Sequence, residues 1–165
     1  MSFANLRHGG LYVHLTYRGH PPGLDNYHWG LYLHINHVNG GTKYHITNRG
    51  IDGTHWITDH GRTAGVFKSM RLVGLFRIAQ VSIERFEEAD GIIRTFDESL
   101  NDVEGRTCRT WALEVMALLK EVSIVQCQSF EALNREILDW ANDNVQSAVL
   151  AQQPRPLADS SLCVL

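Results

Sequence analysis

The chain has 165 residues, of which 44% are hydrophobic and 20% charged, so it has the composition of one folded domain and not of a disordered or low-complexity protein. Its formal net charge of −3 argues against a dedicated nucleic-acid binder. No apolar run approaches the roughly 18 residues that span a bilayer, so we expect no stable membrane anchor.

The cysteines and the N-terminus bear on the compartment. Cys108, Cys127 and Cys163 are scattered and odd in number, a pattern that suits a reducing compartment and predicts no disulfide framework. The N-terminal sequence MSFANLRHGG has no apolar stretch of the kind that secretory signals carry. We therefore expect a cytoplasmic protein.

The first half of the chain is predicted to form strands. Apolar and polar residues alternate over residues 11–17, and more clearly over residues 27–36. A turn at residues 39–41 then leads into a hairpin partner at 42–48. A short strand at 55–57 follows a turn at Asp52-Gly53, and a longer strand spans 71–83, either continuous or divided at Gly74.

The second half is predicted to form helices. Apolar residues recur at helical spacing over residues 86–100, 107–122 and 130–150. The class is α+β, a single domain over residues 1–152 in which an antiparallel sheet packs against helices. Residues 153–165 contain two prolines and small polar residues, which predict a flexible C-terminal tail.

The histidines and cysteines are segregated along the chain. All nine histidines lie within the first 60 residues and all three cysteines after residue 107, so a thiol–imidazole site must join the two halves. Cys108 stands at a predicted helix start, where Thr107 can cap the helix and unpaired backbone amides favour a thiolate. His28 and His45 lie on paired strands, so one can serve Cys108 as a base while the other orients it. Alternatively, Cys108 is a small core residue on the apolar stripe of its helix.

These residues resemble a known group of enzymes. The run YHWGLY at residues 27–32, the run YHI at 44–46 and a later cysteine at a helix start are similar to the circularly permuted papain-like enzymes, the lecithin:retinol acyltransferase and H-rev107 relatives within the NlpC/P60 superfamily. The resemblance implies that fold, with His28 as the base, His45 as its polar orienter and Cys108 as the nucleophile. The family's helix usually opens NCEHF, whereas this chain has TCRTW at 107–111. The C-terminal anchor of the lipid-acting members is also missing, which argues against phospholipid substrates.

A second resemblance is closer in wording. The run HWGLY at residues 28–32, followed much later by CRTW at 108–111, is similar to a family of small, mostly uncharacterised fungal proteins with an HW-x-x-Y strand and a Cys-Arg-x-Trp helix. That family tends to be associated with specialised metabolism, so this resemblance implies a role on a small molecule.

Two functions from different classes follow. In the first, the protein is a thiol hydrolase or acyltransferase acting on an ester, thioester or amide of a small molecule. In the second, it binds or tailors a biosynthetic intermediate, as a cyclase does, using His28 without a cysteine nucleophile. The residues expected to contact the substrate are Trp29, Tyr32, Arg109 and Trp111.

Other partners have weaker signals. The histidines lack the fixed spacing of zinc motifs, so we expect no metal and no cofactor. The segment 62–85 holds five basic residues against one acidic residue, and it either faces an anionic group or forms a solvated surface. The helix at 130–150 is a candidate surface for a homodimer.

Overall fold

The fold is built from eight strands and three helices over the described residues, which are 5–49 and 53–165 of this computed structural model. The strands are β1 (Gly10–Gly19), β2 (Pro22–Asn36), β3 (Gly40–Tyr44), β4 (Ile46–Thr47), β5 (Ile57–Thr58), β6 (Gly61–Thr63), β7 (Leu72–Gln80) and β8 (Leu157–Asp159). The helices are α1 (Phe86–Ile93), α2 (Cys108–Glu121) and α3 (Phe130–Val149). Six strands form one sheet in the order β6-β3-β2-β1-β7-β8, while β4 and β5 pair separately. All pairs are antiparallel except β7 with β8, so the α+β class is confirmed.

The central strands separate the two faces of the sheet. β1 and β2 pair from Leu11↔Leu33 onward, and the odd-numbered side chains of residues 11–17 and 27–33 join the main apolar core. The even-numbered face carries His14 and His28 towards one end and a smaller apolar cluster around Tyr32 towards the other. Because side chains alternate along a strand, this arrangement places polar residues of two neighbouring strands side by side.

Most of the predicted strands are confirmed. The segment predicted at 42–48 is divided into β3 and β4 at His45. The short strand predicted at 55–57 overlaps β5 only at Ile57, since β5 is Ile57–Thr58. Asp52 of the predicted turn lies outside the described residues. β7 runs continuously through Gly74, where a Cβ atom would lie 2.7 Å from the ring of Trp140. This glycine therefore allows a close approach of α3 and does not break the strand.

Two helices match their predicted ranges and cover the main core. Thr107 caps α2 through a capping box with Thr110, and Ser129 caps α3 by accepting the Ala132 N–H. Both helices bury their apolar stripes against the sheet, with α2 next to β2 and α3 next to β7. None of the helices within the described ranges combines the length and apolarity needed to cross a bilayer.

The first helix is shorter than predicted. α1 ends at Ile93, and the chain continues in successive turns closed by hydrogen bonds between residues three apart, as from Asp97 N–H to the Arg94 carbonyl. Phe96 and Leu100 still face the interior from these turns. Consecutive turns repeat about every three residues, so their apolar spacing imitates that of a helix.

The C-terminal segment was predicted wrongly as a loose tail. β8 pairs with β7, and the guanidinium of Arg77 donates two hydrogen bonds to Asp159, at 2.8 Å and 2.6 Å. Cys127 and Cys163, 36 residues apart in sequence, form a disulfide, which leaves Cys108 as the free cysteine. The expectation of no disulfide is therefore wrong, and the cysteine count gives no ground for a reducing compartment. An isolated antiparallel β-bridge brings the two cysteines together, and their spacing in the sequence does not predict it.

Candidate active site

Cys108 contacts β2 just beyond the last residue pair of β2 with β3. The β2–β3 register ends at the pair Leu31↔Tyr44, and the backbone N–H of Trp29 beyond it donates to Cys108 Sγ at 3.4 Å. Arg18 Nη2 also donates to Sγ, at 3.5 Å. Because Cys108 is the first residue of α2, its sulfur receives two donors and lies at the positive end of a helix. All three features place positive electrostatic potential at the sulfur.

His28 and His45 form a hydrogen-bonded pair beside this cysteine. His28 Nε2 lies 2.9 Å from His45 Nδ1, and Arg18 Nη2 lies 3.2 Å from His28 Nδ1. A guanidinium can only donate, so His28 Nδ1 must be the acceptor in that contact. His28 therefore carries its proton on Nε2 and donates it to His45 Nδ1. The nitrogen on the Arg18 side keeps a lone pair, which is the form that a general base needs.

Asp59 extends this chain of groups. His45 Nε2 lies 3.2 Å from Asp59 Oδ2, at ion-pair distance but outside hydrogen-bond alignment. The Asp59 N–H donates to the His45 carbonyl at 2.9 Å, next to the β4–β5 pair Ile46↔Thr58. The small hairpin thus holds a carboxylate against the outer nitrogen of the second histidine. A carboxylate there favours the tautomer of His45 that accepts from His28.

A third histidine supports the backbone of the second. The His45 N–H donates to His60 Nδ1 at 3.1 Å, and His60 Nε2 lies 3.0 Å from Asp97 Oδ1. The His60 ring stacks on Trp111 of α2, with centroids 5.9 Å apart. This network connects the end of β3 to the helix that carries Cys108, so the two histidines and the cysteine are held by one packed assembly.

Because Gly30 has no side chain, the histidine pair has room beside it. On β2 it lies two residues after His28, on the same face of the sheet. A Cβ atom at Gly30 would lie 3.0 Å from the Cβ of His45 and 2.8 Å from the Tyr44 carbonyl oxygen. A side chain at this position would push His45 away from His28.

An open cavity of about 520 Å³ lies in front of the pair. It is lined by His14, His28 and His45 together with charged and polar residues from β1, β3 and the segment before β7. Cys108 does not line it, since this residue is only 2% exposed. Arg18 does line it, and the Arg18 guanidinium contacts both the sulfur and His28. Access from the cavity to the sulfur therefore depends on Arg18.

Burial keeps the cavity histidines neutral. Desolvation, aided by nearby Lys43, lowers the pKa of His14 to about 3. Desolvation and then Arg18 lower the pKa of His28 to about 4, and desolvation and then Lys43 lower the pKa of His45. At neutral pH the site thus presents three uncharged imidazoles, each able to accept or donate a proton.

The structure brings together His28, His45 and Cys108 as predicted, but not the predicted substrate contacts. Trp29, Tyr32 and Trp111 are completely buried in the apolar clusters, so their side chains cannot contact a ligand in the cavity. Arg109 is partly exposed and lies outside the described lining of the cavity. Neighbouring residues of a strand point to opposite faces of the sheet, so Trp29 points away from the face that carries His28.

Sequence reasoning missed Arg18, Asp59, Lys43 and His14. Arg18 lies where the β1–β2 register shifts between Tyr17 and Gly19, and such irregularities redirect side chains. A bulge has no clear signature in a single sequence, so no sequence pattern identifies Arg18 as a site residue. The alternation that singled out His28 did place His14 on the same face and could have identified it.

Metal binding has no support from clustering in the part of the chain that the structure describes. Among residues 5–49 and 53–165, no group of three or more histidine, cysteine or acidic side chains is arranged to hold a metal ion.

Comparison with known proteins places the chain in a family. No curated protein and no solved structure matches it. A family model described as a family of unknown function, DUF6540, matches residues 13–126. The matched segment begins in β1, ends just before the disulfide and includes His28, His45 and Cys108. Because the match covers more than half of the chain, this protein belongs to that family of unknown function.

Proposed function

We propose that this protein catalyses cysteine-dependent acyl transfer or hydrolysis on an ester, thioester or amide of a small molecule, in a fold of the permuted papain-like kind. One observation carries the proposal: Cys108 at the start of α2, His28 on β2 and His45 at the end of β3 converge, with the two histidines 2.9 Å apart. A nucleophile, a base and a group that orients the base are the parts that thiol acyl transfer needs.

The mechanism follows from the hydrogen bonds. His28 Nδ1 takes the thiol proton of Cys108, and the thiolate sulfur bonds to the substrate carbonyl carbon. Backbone amides near Cys108 stabilise the oxyanion, which collapses and expels the leaving group with the proton held by His28. Water or an acceptor amine then attacks the thioester, giving a proton to His28, and the Cys108 thiol is regenerated. His45 holds the His28 ring and shares its positive charge with Asp59.

Arg18 regulates the first step of this mechanism. Its Nη2 occupies the position between Cys108 Sγ and His28 Nδ1 in the resting site, at 3.5 Å and 3.2 Å. Proton transfer from sulfur to Nδ1 requires the guanidinium to move into the cavity. A substrate that attracts Arg18 therefore exposes the sulfur and frees its base at the same time.

The test uses 4-nitrophenyl acetate and the oxidised protein, in which Cys108 is the free thiol. We expect an initial burst of nitrophenol and an acetyl group on Cys108, located by mass spectrometry of the digested protein. Cys108→Ala should abolish the burst, and His28→Gln should slow it by roughly 100-fold. His37→Gln, which removes an exposed histidine outside the cavity, is the matched control and should leave the burst intact. Retention of the full rate by Cys108→Ala would refute the mechanism.

A second candidate is non-covalent binding or tailoring of a biosynthetic intermediate. The observation that favours it is the position of Cys108, which is 2% exposed and does not line the cavity, whereas His28 and His45 do. In this function His28 acts alone as an acid, a base or a hydrogen-bond donor. Turnover of the intermediate would then survive Cys108→Ala and fail in His28→Gln, together with slow native alkylation of Cys108 by iodoacetamide.

A further inference from the structure

The charged groups of the cavity are mostly cations. Its described lining includes Arg18, Lys43, Arg49 and Arg71, but only one carboxylate, Asp59. None of these four cations forms an ion pair with a described carboxylate. Elsewhere the described arginines commonly pair with acids within the chain, as in Arg77–Asp159, Arg85–Glu88, Arg94–Asp90, Arg106–Glu114 and Arg135–Asp25. Among the described residues, the cavity is thus a concave site whose lining carries more positive than negative charge.

A buried histidine, His14, forms part of the same cavity wall. His14 is 3% exposed and lines the cavity, and its Nδ1 forms no hydrogen bond with any described group. Nδ1 itself has almost no accessible surface, so a ligand in the cavity would meet other atoms of the His14 ring. Lys43 lines the cavity and is only partly exposed, and this burial lowers the pKa of its ammonium group. Desolvated cations bind anions more strongly than solvated ones do.

We propose that the ligand of this cavity is a small molecule carrying a carboxylate or phosphate group, which is held by Lys43 and Arg71 beside the His14 ring. Arginine matches the planar oxygens of either anion, and lysine supplies a second charge. A cavity of about 520 Å³ is the size of a small-molecule site. Tyr17 and Met70 add apolar surface to its lining for the rest of the ligand.

The position of Arg18 connects this anionic group to the reaction. Arg18 lines the cavity and contacts Cys108 Sγ and His28 Nδ1. An anion bound by Lys43 and Arg71 would attract the Arg18 guanidinium away from the sulfur. Resting on the proposed function, the inferred substrate class is therefore an anionic ester, thioester or amide, whose negative group exposes the nucleophile that attacks it.

Binding is tested by calorimetric titration of the full chain with glutarate, inorganic phosphate and glutaramide, the neutral counterpart of glutarate. We expect glutarate or phosphate to bind and glutaramide to bind at least tenfold more weakly. Arg71→Gln and Lys43→Gln should each weaken the anion roughly tenfold, since each removes a charge-assisted contact. Lys68→Gln removes a cation three residues from Arg71 that is exposed and outside the cavity lining, and it should leave the affinity unchanged. A stronger response to glutarate than to phosphate identifies a carboxylate as the preferred group, and the reverse identifies a phosphate.

Anion binding can be tested independently of catalysis by Cys108. Cys108→Ala should bind the anion as the unmodified chain does, because Cys108 does not line the cavity. Equal binding of glutarate and glutaramide, anion binding unaffected by Arg71→Gln and Lys43→Gln, or no anion binding at about millimolar concentration would each overturn the inference.

Turnover then separates the two proposals. Mono-4-nitrophenyl glutarate should react at least tenfold faster in kcat/KM than neutral 4-nitrophenyl butyrate. Equal rates that both depend on Cys108 would retain the thiol mechanism and overturn the anionic substrate. Anion binding without any Cys108-dependent turnover would retain the anion site and overturn the mechanism.

Discussion

The two ends of the central sheet differ in whether their arginines have acidic partners among the described residues. At the β7–β8 edge, Arg77 is 10% exposed in its side chain and donates two hydrogen bonds to Asp159, and the disulfide closes the segment behind it. At the cavity end, Arg71 precedes the same strand β7 but has no described acidic partner. The comparison shows that an arginine at the β7–β8 edge, where it stabilises the fold, has an acidic partner. The cations that line the cavity, in contrast, have no described acidic partner.

Substituting the two arginines of this comparison gives the largest expected difference. Arg77→Gln removes a bidentate, charge-assisted pair from a mostly buried position and should lower the free energy of unfolding by about 2–3 kcal/mol. Arg71→Gln removes an exposed cation without an acidic partner and should change stability by less than about 0.5 kcal/mol. Urea unfolding of the two variants measures both values. Equal losses of stability would mean that the cavity cation is structural.

The cavity histidines should make stability depend on pH. The pKa of His14 is depressed in the folded protein to about 3 from an ordinary 6.5, so folding favours its neutral form. The stabilisation is complete above about pH 6.5 and is lost as the pH falls towards the folded value, because the unfolded chain then binds the proton first. Between about pH 7 and about pH 5 the unmodified chain should lose about 2 kcal/mol more than His14→Gln. Parallel curves of stability against pH for the two proteins would contradict this prediction.

Gly30 offers a smaller change with a local consequence. Gly30→Ala places a Cβ atom against His45 and the Tyr44 carbonyl, so it should cost about 1 kcal/mol and slow acetylation of Cys108 roughly tenfold. Gly91→Ala in α1 is the matched control, since a Cβ there meets no atom within 4 Å. It should stabilise the protein by about 0.5–1 kcal/mol and leave acetylation unchanged. The two variants are compared by urea unfolding and by the nitrophenol burst. Similar behaviour of both would show that the histidine spacing does not depend on Gly30.

The sequence predicts those parts of the molecule that depend on local periodicity. Alternation located β1 and β2 and placed His28 opposite the apolar face, and helical spacing with Thr107 as a cap located α2 and its first residue, Cys108. The three candidate catalytic residues come together because each occupies a position that a short pattern defines.

The remaining features depend on contacts between distant segments. The pairing of β8 with β7, the Cys127–Cys163 disulfide and the approach of Asp59 to His45 join residues without any shared local pattern. Arg18 reaches the site from an irregular register, which alternation alone cannot locate. Trp29 and Trp111 were predicted to contact the substrate because they are close in sequence to His28 and Cys108. Closeness in sequence does not place two side chains on the same face, and both tryptophans lie in the core.

The disulfide has a consequence for the covalent structure of the chain. The bond between Cys127 and Cys163 encloses α3 and β8 in a covalent ring. The exposed residues Gln152 and Gln153 lie within this ring, between α3 and β8. A protease that cuts there produces two fragments that stay joined and migrate as one species on a gel until a reducing agent is added. Comparing the digest with and without reductant therefore reveals cleavage within the ring that gel migration without reductant conceals.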